Sequence, residues 1–296
     1  MSTSQSVLSK PIKSGMVERQ PLLDLIAHAI LIVGLVVVAL PIWITFVGST
    51  HTLDAIVASP MPIWPGGEFF ANYSQVLGQG GTSGTRAPVG RMLGVSLSIA
   101  LLIAIGKIML ALISAFALVY FRFRFKQIVF WLIFITLMLP VEVRISPTYK
   151  IVSDLGMLNS YAGLTLPLLA SATATFLFRQ FFLTVPDELV EAARIDGAGP
   201  MRFFWDVLLP LSKTNIAALF VIMFIYGWNQ YLWPLLVSTD EAYYPIVIGI
   251  KQMIAAESQV EWHLVMATAI LALIPPVLVV VVMQRWFVKG LVDAEK

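Results

Sequence analysis

The sequence predicts an all-α, polytopic membrane protein with six transmembrane helices. Its 296 residues are 58% hydrophobic and 12% charged, and its mean hydropathy is +0.86, whereas a soluble domain carries about 25% charged residues. So little charge cannot cover a surface exposed to water, so a soluble globule is excluded and membrane lipid must surround the chain. The lack of cysteine excludes disulfides and thiolate chemistry. A net charge of +2 without a basic block offers no surface for nucleic acid.

Six segments are apolar and long enough to cross the bilayer, which takes about 20 helical residues. They lie near residues 25–48, 93–120, 128–150, 160–183, 209–236 and 263–286. The first is longer than the apolar core of a secretory signal and lacks a convincing cleavage site, so we expect a retained helix. The predicted organisation is a segment 1–24, a first helix 25–48, a loop 49–90, a five-helix domain 91–288 and a tail 289–296.

The basic residues predict the orientation of the chain. Thirteen of the nineteen Lys and Arg residues fall on one side of the six-helix arrangement. Because cytoplasmic loops carry the excess of positive charge, we expect both termini in the cytoplasm and the loops 49–92 and 237–262 outside. Proline and glycine make the first outer loop irregular, with a flexible stretch, and the second is short and mixed in composition.

A segment at 184–208, between the fourth and fifth predicted helices, is too polar to span the bilayer. Thr184 is a candidate N-cap, and Asp187 stands at the spacing of a capping box. The helix is expected to end near Asp196, where Gly197 supplies a left-handed stop, and a second short helix follows. Such a helical hairpin suits docking into a groove of another protein, although an amphipathic helix lying on the membrane would show the same capping and charge pattern.

The spacing of this segment resembles the EAA loop of ABC-type import permeases, E-A-A-x3-G-x9-I-x-L-P. The matching residues are Glu191, Ala192, Ala193, Gly197, Leu209 and Pro210, with Val207 in place of the usual isoleucine. The resemblance implies the type I importer permease fold, in which this loop forms coupling helices that sit in a cleft of the ATP-hydrolysing subunit. It makes Glu191 a polar contact with that subunit, Ala192 and Ala193 a close-packed face, and Gly197 the turn between the two helices.

The fifth helix carries W-N-x4-P-L, which is similar to carbohydrate-type, maltose-permease-like members of this family. Segments 134–145, 160–182, 186–204 and 224–236 are similar to permeases that import sn-glycerol-3-phosphate, with sugar import as the alternative. The resemblance implies alternating access in the bacterial inner membrane. The implied partners are a second homologous permease, two copies of an ATP-binding subunit and a periplasmic binding protein. We expect no cofactor, and no enzymatic activity in this chain, because it carries no Walker A motif.

Cations at membrane depth are candidates for a path taken by an anionic substrate. A central Lys or Arg costs about 2.5–3.5 kcal/mol to insert, so it usually faces the interior of a helix bundle or a water-filled path. Lys107 lies about 22 Å from the cytoplasmic end of its predicted helix, where it either lies near the substrate path or pairs with a carboxylate such as Glu142. Arg144 and Lys150 suit phosphate recognition, or extend toward the outer boundary.

Polar and aromatic side chains near the middle of the fifth predicted helix form a second candidate set: Trp228, Asn229, Gln230, Tyr231 and Trp233. Aromatic rings with polar groups suit a polar glycerol moiety, and Pro234 is expected to bend or break the helix just beyond. The alternative is that the amides only form hydrogen bonds with neighbouring helices.

The second outer loop is the candidate contact with the binding protein, because the corresponding loop of related permeases extends toward that protein. The residues concerned are Tyr244, Gly249 and Lys251. The three histidines are isolated and predict no metal site: His28, His51 and His263. A self-sufficient carrier or an intramembrane enzyme is disfavoured, because neither a clear internal repeat nor a convincing cluster of acidic or histidine residues within the spans is present.

Overall fold

The computed structural model describes residues 21–78, 87–136, 141–255 and 260–293, and within these ranges the chain is helical without a β-strand. Fifteen α-helices follow one another along these residues: α1 (Pro21–Ser49), α2 (Leu53–Val57), α3 (Phe69–Gly78), α4 (Val89–Tyr120), α5 (Lys126–Ile135), α6 (Val141–Asp154), α7 (Tyr161–Thr165), α8 (Ala172–Phe182), α9 (Asp187–Ile195), α10 (Pro200–Phe203), α11 (Leu209–Leu211), α12 (Lys213–Trp228), α13 (Leu232–Val237), α14 (Ile246–Ile254) and α15 (Trp262–Asp293).

The chain divides into two compact units, one as far as Ile44 and one from Thr45 onward. In the first unit, the side chains of α1 from residue 22 to residue 44 are exposed, and nearly all of them are apolar. A helix that is apolar all round suits a lipid environment. The second unit holds the buried core.

The six apolar segments are helical in their described residues, but two of them are interrupted. Among the described residues, α1, α4 and α15 are each long and apolar enough to cross a membrane alone. The segment predicted at 128–150 is divided between α5 and α6, with 137–140 outside the described residues. The segments predicted at 160–183 and 209–236 are broken, so single continuous helices were wrong there.

The interruption in segment 160–183 is a bend of 48° between Tyr161–Leu168 and Ala172–Phe182. Ser171 ends the break, because its hydroxyl oxygen accepts a hydrogen bond from the Ala174 N–H at 3.3 Å and caps α8. A sharper bend of 72° separates Pro200–Leu211 from Lys213–Trp228. Hydropathy detects the apolar composition of both segments but not the turns of backbone within them.

Both loops predicted outside the membrane contain helices. The first holds α2 and α3, with residues 79–86 outside the described ranges, and the second holds α14. The Ile246 N–H at the start of α14 donates to the buried Ser96 hydroxyl of α4 at 2.8 Å, and Ile246 and Met253 pack inward. The apolar positions of this short segment form one buried face, so it is a packed element rather than an irregular loop.

Helix α4 is the central element of the second unit, since α8, α12 and α14 all pack against it. Its backbone approaches α12 closely at Gly227, and a further close approach brings Gly106 against the Leu169 side chain. Small residues at such contacts let helix backbones come together in membranes. Helix α15 also packs against α12.

A hydrogen-bonded clamp joins the turn before α7 to the turn after α13. Asn159 has a φ of +51°, and its Oδ1 accepts from the N–H groups of Thr239 at 2.7 Å and Asp240 at 3.0 Å. The Trp233 Nε1–H donates to the Gly163 carbonyl at 3.0 Å. These bonds tie α7 and α13 into one piece at that end of the bundle.

Candidate functional site

Residues 184–208, which we call the docking segment, form two short helices, although the first helix is not capped as expected. The Thr184 hydroxyl donates to the Phe181 carbonyl at 2.7 Å, and Pro186 stands at the N-cap without a side-chain cap bond. A Thr184 cap and an Asp187 capping box are therefore both wrong, because the backbone at Thr184 still belongs to the end of α8. Helix α9 begins at Asp187, where the carboxylates of Asp187 and Glu188 interact favourably with the helix dipole.

Gly197 supplies the left-handed turn that its position predicted. Its φ is +73°, and the following Ala198 N–H donates to the Ala193 carbonyl at 2.8 Å. The next helix begins at Pro200 and continues through a π-helical turn, Phe204–Leu208, into α11. A π turn inserts one residue into the helical register and frequently marks a functional site.

The exposed face of this segment differs from the face predicted by the E-A-A pattern. Glu191 and Ala192 are exposed, but Ala193 is buried in the core of this chain and cannot pack on a partner. Leu209 is half-buried and Pro210 exposed. Three large apolar side chains that the pattern did not single out are more than half exposed instead: Ile195 at 86%, Met201 at 59% and Trp205 at 59%. Apolar residues within an otherwise polar segment were the signal that could have identified them.

Buried aromatic rings connect the docking segment to the transmembrane core. Phe203 meets Tyr120 of α4 at a ring-centroid distance of 5.3 Å, and Phe204 meets Phe116 at 5.0 Å. The Tyr120 hydroxyl also donates to the Phe182 carbonyl of α8 at 3.3 Å. These contacts join the segment directly to α4 and α8.

Three of the predicted path residues line one cavity of about 90 Å³. Arg144 and Thr148 approach it from α6, Gln230 from the break between α12 and α13, and Trp233 from the first turn of α13. The Gln230 amide also donates to the Tyr226 carbonyl at 3.0 Å. The Thr148 hydroxyl donates to the Arg144 carbonyl at 2.7 Å, and the rest of the lining is largely apolar. The Arg144 guanidinium and the second amide N–H of Gln230 are the donors that suit a phosphate or polyol oxygen.

Lys107 lies inside the bundle near this region. Lys107 is 7% exposed, and its ammonium lies 4.2 Å from the centroid of the Tyr226 ring. The ammonium also interacts electrostatically with Arg144. Its described partner is thus an aromatic face rather than a carboxylate, and the proposed alternative, Glu142, has a side chain outside those that the structure describes.

The remaining residues of this set divide between core and surface. Trp228 is buried and stacks on Phe224 at 5.9 Å, so it belongs to the packed core rather than to a path. Asn229 is exposed at the end of α12, and Tyr231 is half-buried before α13. The expectation for Pro234 was wrong, because the helix already breaks at Asn229 and Pro234 lies in the first turn of α13, where a missing N–H breaks no helical bond.

The outer candidates are only partly accessible. Tyr244 is half-buried and Lys251 is exposed, but Gly249 is buried, with no room for even a Cβ beside the Met92 sulfur. Gly249 therefore serves the packing of α14 on α4. Lys150 forms an exposed ion pair with Asp154 at 2.9 Å, and the described residues contain no cluster of potential metal ligands.

The chain matches a known family and several known proteins. The family model of the binding-protein-dependent transport system inner membrane component matches residues 107–293. The sn-glycerol-3-phosphate transport system permease protein UgpE of Agrobacterium fabrum is 59% identical over 282 residues, which are 95% of this chain and 100% of that protein. UgpE of Escherichia coli O157:H7 is 58% identical over 283 residues, again 95% and 100% of the two chains.

A solved structure has the same fold. It is a crystal structure of a bacterial ABC transporter involved in the import of the acidic polysaccharide alginate, matched with a TM-score of 0.75 over 92% of this chain and 99% of that chain. The sequence identity is 22%, so this likeness bears on the fold alone. The all-α fold of a type I importer permease is thereby confirmed for the described residues.

Proposed function

Because this chain belongs to the family of binding-protein-dependent transport system inner membrane components, we propose that it forms part of the path by which sn-glycerol-3-phosphate enters the cell. The chain is a multi-pass inner membrane protein and a permease subunit of an ABC importer, which works together with other components of that transporter. The substrate, the number of partners and the orientation belong to the proposal.

Two cations without a described carboxylate partner are the observation that carries the substrate proposal. Lys107 is buried and Arg144 lines the cavity beside Gln230, and the two charges repel each other. Neither forms an ion pair among the described residues. A phosphate group carries up to two negative charges and offsets this repulsion, whereas a neutral sugar does not. Relatives named as sn-glycerol-3-phosphate transport permeases, which are 55–59% identical to this chain over their whole length, support the same substrate.

The proposed assembly contains a second homologous permease, two copies of an ATP-binding subunit and a periplasmic binding protein. ATP is hydrolysed in the separate subunit. The docking segment 184–208 faces the cytoplasm together with both termini, and the loops 49–92 and 237–262 face outside. The permease domain proper is 91–288, with Tyr244 and Lys251 as the accessible candidates for contact with the binding protein.

The chain couples ATP binding to transport by alternating access. Closure of the ATP-binding subunits displaces α9 through Glu191, Ala192 and the exposed Ile195. The aromatic contacts of Phe203 and Phe204 pass that displacement to α4. Because α12 packs along α4, the displacement reaches Gln230 just beyond the end of α12. Gln230 then moves relative to Arg144 on the other wall of the cavity, and the substrate is released inward.

The substrate is tested with the assembled transporter reconstituted in vesicles and supplied with radiolabelled sn-glycerol-3-phosphate. Unlabelled sn-glycerol-3-phosphate is expected to compete, and glycerophosphodiesters are tested beside it. Uptake of radiolabelled maltose without uptake of radiolabelled sn-glycerol-3-phosphate would identify a sugar importer and overturn the substrate proposal.

The coupling role is tested with Glu191→Lys, after membrane levels have been matched. We expect uptake and transport-linked ATP hydrolysis to fall together, because the reversed charge opposes docking of the ATP-binding subunit. Glu68→Lys makes the same charge change at an exposed site outside the docking segment and is the control. Wild-type uptake and hydrolysis in Glu191→Lys would contradict the coupling role.

A further inference from the structure

A large apolar groove lies behind the 72° bend that follows the docking segment. Its volume is about 670 Å³, and its walls come from α11, α12 and α15. The principal lining residues are Leu209, Lys213, Ile216, Ala217, Phe220 and Met283. We call this the elbow groove. It exists because Ala217 is short and lies between the longer side chains of Lys213 and Phe220 on one face of α12.

Water does not suit the interior of the elbow groove. Apart from Lys213 and its neighbour Thr214, the lining side chains are apolar, and apolar cavities stay dry because water finds no hydrogen-bond partners there. In a helix that spans a membrane, the groove is filled either by hydrocarbon or by another protein.

The polar groups of the groove are gathered where α12 begins. Lys213 and Thr214 are the first two residues of the helix, whereas Ala217 and Phe220 lie about one and two turns deeper. Within the described part of the chain, neither Lys213 nor Thr214 makes an ion pair or a side-chain hydrogen bond. An ammonium and a hydroxyl at the mouth of an apolar groove match a phosphate group joined to hydrocarbon.

We propose that the elbow groove binds an anionic phospholipid, with one acyl chain along Ala217 and Phe220 and the phosphate on Lys213 and Thr214. Basic pockets between transmembrane helices on the cytoplasmic side are established sites for anionic headgroups. The lipid is preferred to a helix of the second permease because an apolar helix in the groove leaves the Lys213 charge without a counter-ion. The placement of the headgroup at the cytoplasmic surface of the membrane rests on the proposed cytoplasmic position of the docking segment.

The lipid would link the bilayer to the docking machinery. Leu209 and Pro210 belong to the docking motif and also line the groove, so a bound acyl chain supports the outside of the bend while α12 moves. Anionic lipid is therefore expected to act at the bend without contacting the transported substrate.

Lipid retention by the assembled transporter tests the proposal. The complex is incubated with vesicles of phosphatidylglycerol and phosphatidylcholine in equal amounts, isolated through the ATP-binding subunit, and its bound lipids are counted by native mass spectrometry. Wild type is expected to retain phosphatidylglycerol in preference. Lys213→Gln is expected to lower that retention several-fold, Lys213→Arg to preserve it, and Ala217→Trp to reduce retention of both lipids by filling the groove. Ile222→Trp, at an exposed apolar position of α12 outside the groove, is the matched control and is expected to behave as wild type.

Three outcomes would overturn the proposal. The first is equal retention of the two lipids by wild type, and the second is undiminished phosphatidylglycerol in both Lys213→Gln and Ala217→Trp. The third is complete cross-linking of Ala217→Cys to the second permease, which would make a protein the occupant. The chain has no other cysteine, so this cross-link reports on one position. Failure of the proposed function is recognised separately, by the absence of sn-glycerol-3-phosphate uptake in wild-type vesicles, since lipid retention requires no transport.

Discussion

Gly227 of α12 lies directly against Ala100 of α4, so that a Cβ added at Gly227 would come within 2.9 Å of the Ala100 Cα. No side chain separates the two helix backbones at this point. The residue before Gly227 is Tyr226, whose ring face contacts the Lys107 ammonium. The packing of α4 on α12 therefore sets the geometry beside the buried cation.

Gly227→Ala is expected to destabilise the protein, because the new methyl group must push two backbones apart. Overpacking of this kind costs about 1–3 kcal/mol. Gly94→Ala is the control, since a Cβ there meets nothing within 4 Å and alanine favours the helix. Thermal unfolding of the purified protein measures both. A melting temperature of Gly227→Ala equal to that of Gly94→Ala would contradict the close contact.

Lys107→Met is expected to raise the KM for sn-glycerol-3-phosphate uptake about tenfold, which corresponds to about 1.4 kcal/mol of lost interaction with the phosphate. Methionine keeps the length and apolar stem of the side chain and removes only the charge. Tyr226→Phe keeps the ring beneath the ammonium and is expected to leave KM nearly unchanged. An unchanged KM in Lys107→Met would argue for a neutral substrate or a purely structural lysine.

Arg144→Gln is expected to weaken uptake as well, because Arg144 lines the cavity beside Gln230. Lys150→Gln is the matched control on the same helix, since both side chains are exposed but Lys150 lies outside the cavity lining and is paired with Asp154. Exposed ion pairs contribute about 0–1 kcal/mol, so its loss is expected to alter neither uptake nor stability appreciably. Equal uptake defects in Arg144→Gln and Lys150→Gln would contradict a role of Arg144 that depends on its place in the cavity.

The polar docking segment was recognisable in the sequence because its features are local. Gly197 ends α9 in the left-handed conformation that its position predicts, and the spacing of Glu191 and Pro210 needs no tertiary information. The burial of Ala193 was not predictable in this way, since it depends on which side of α9 packs against the core.

Long-range packing also accounts for the other differences. Hydropathy identified the apolar segment 209–236, but the bend near Ser212 and the break at Asn229 depend on neighbouring helices. Trp228 was expected on a substrate path and lies in the core, because aromatic residues suit both places equally. Gly249 was expected at a surface, and only its contact with Met92 identifies α14 as a packed helix.

The clamp at Asn159 predicts an ordered pair of stability losses. Asn159→Gly keeps the positive φ and removes the side-chain bonds to Thr239 and Asp240, each worth about 1 kcal/mol. Asn159→Ala removes the same bonds and adds backbone strain. The melting temperature is therefore expected to fall from wild type to Asn159→Gly and further to Asn159→Ala. Faster amide exchange at Thr239 in both variants is the confirming measurement, and a melting temperature of Asn159→Ala at or above that of Asn159→Gly would count against the strained backbone.

The exposed Ile195 predicts a contact with the ATP-binding subunit that the E-A-A pattern does not include. Ile195→Asp is expected to weaken co-purification of that subunit at least several-fold, because a charge replaces an apolar side chain at the proposed interface. Leu155→Asp introduces the same charge at a largely exposed leucine, which lies outside the docking segment, and is expected to leave co-purification unchanged. If both variants retained the subunit equally, Ile195 would lie outside the interface.

The 72° bend between Pro200–Leu211 and Lys213–Trp228 makes an angled lever with two helical arms, which meet at a pivot near Ser212. The 16 residues of α12 make a lever arm of about 24 Å, at about 1.5 Å per residue. A rotation of the short arm by about 10° would then sweep the far end of α12, beside Trp228, through about 4 Å. Such a stroke is wide enough to open or close a passage for a small solute, even though the ATP-driven movement at the docking segment itself would be modest.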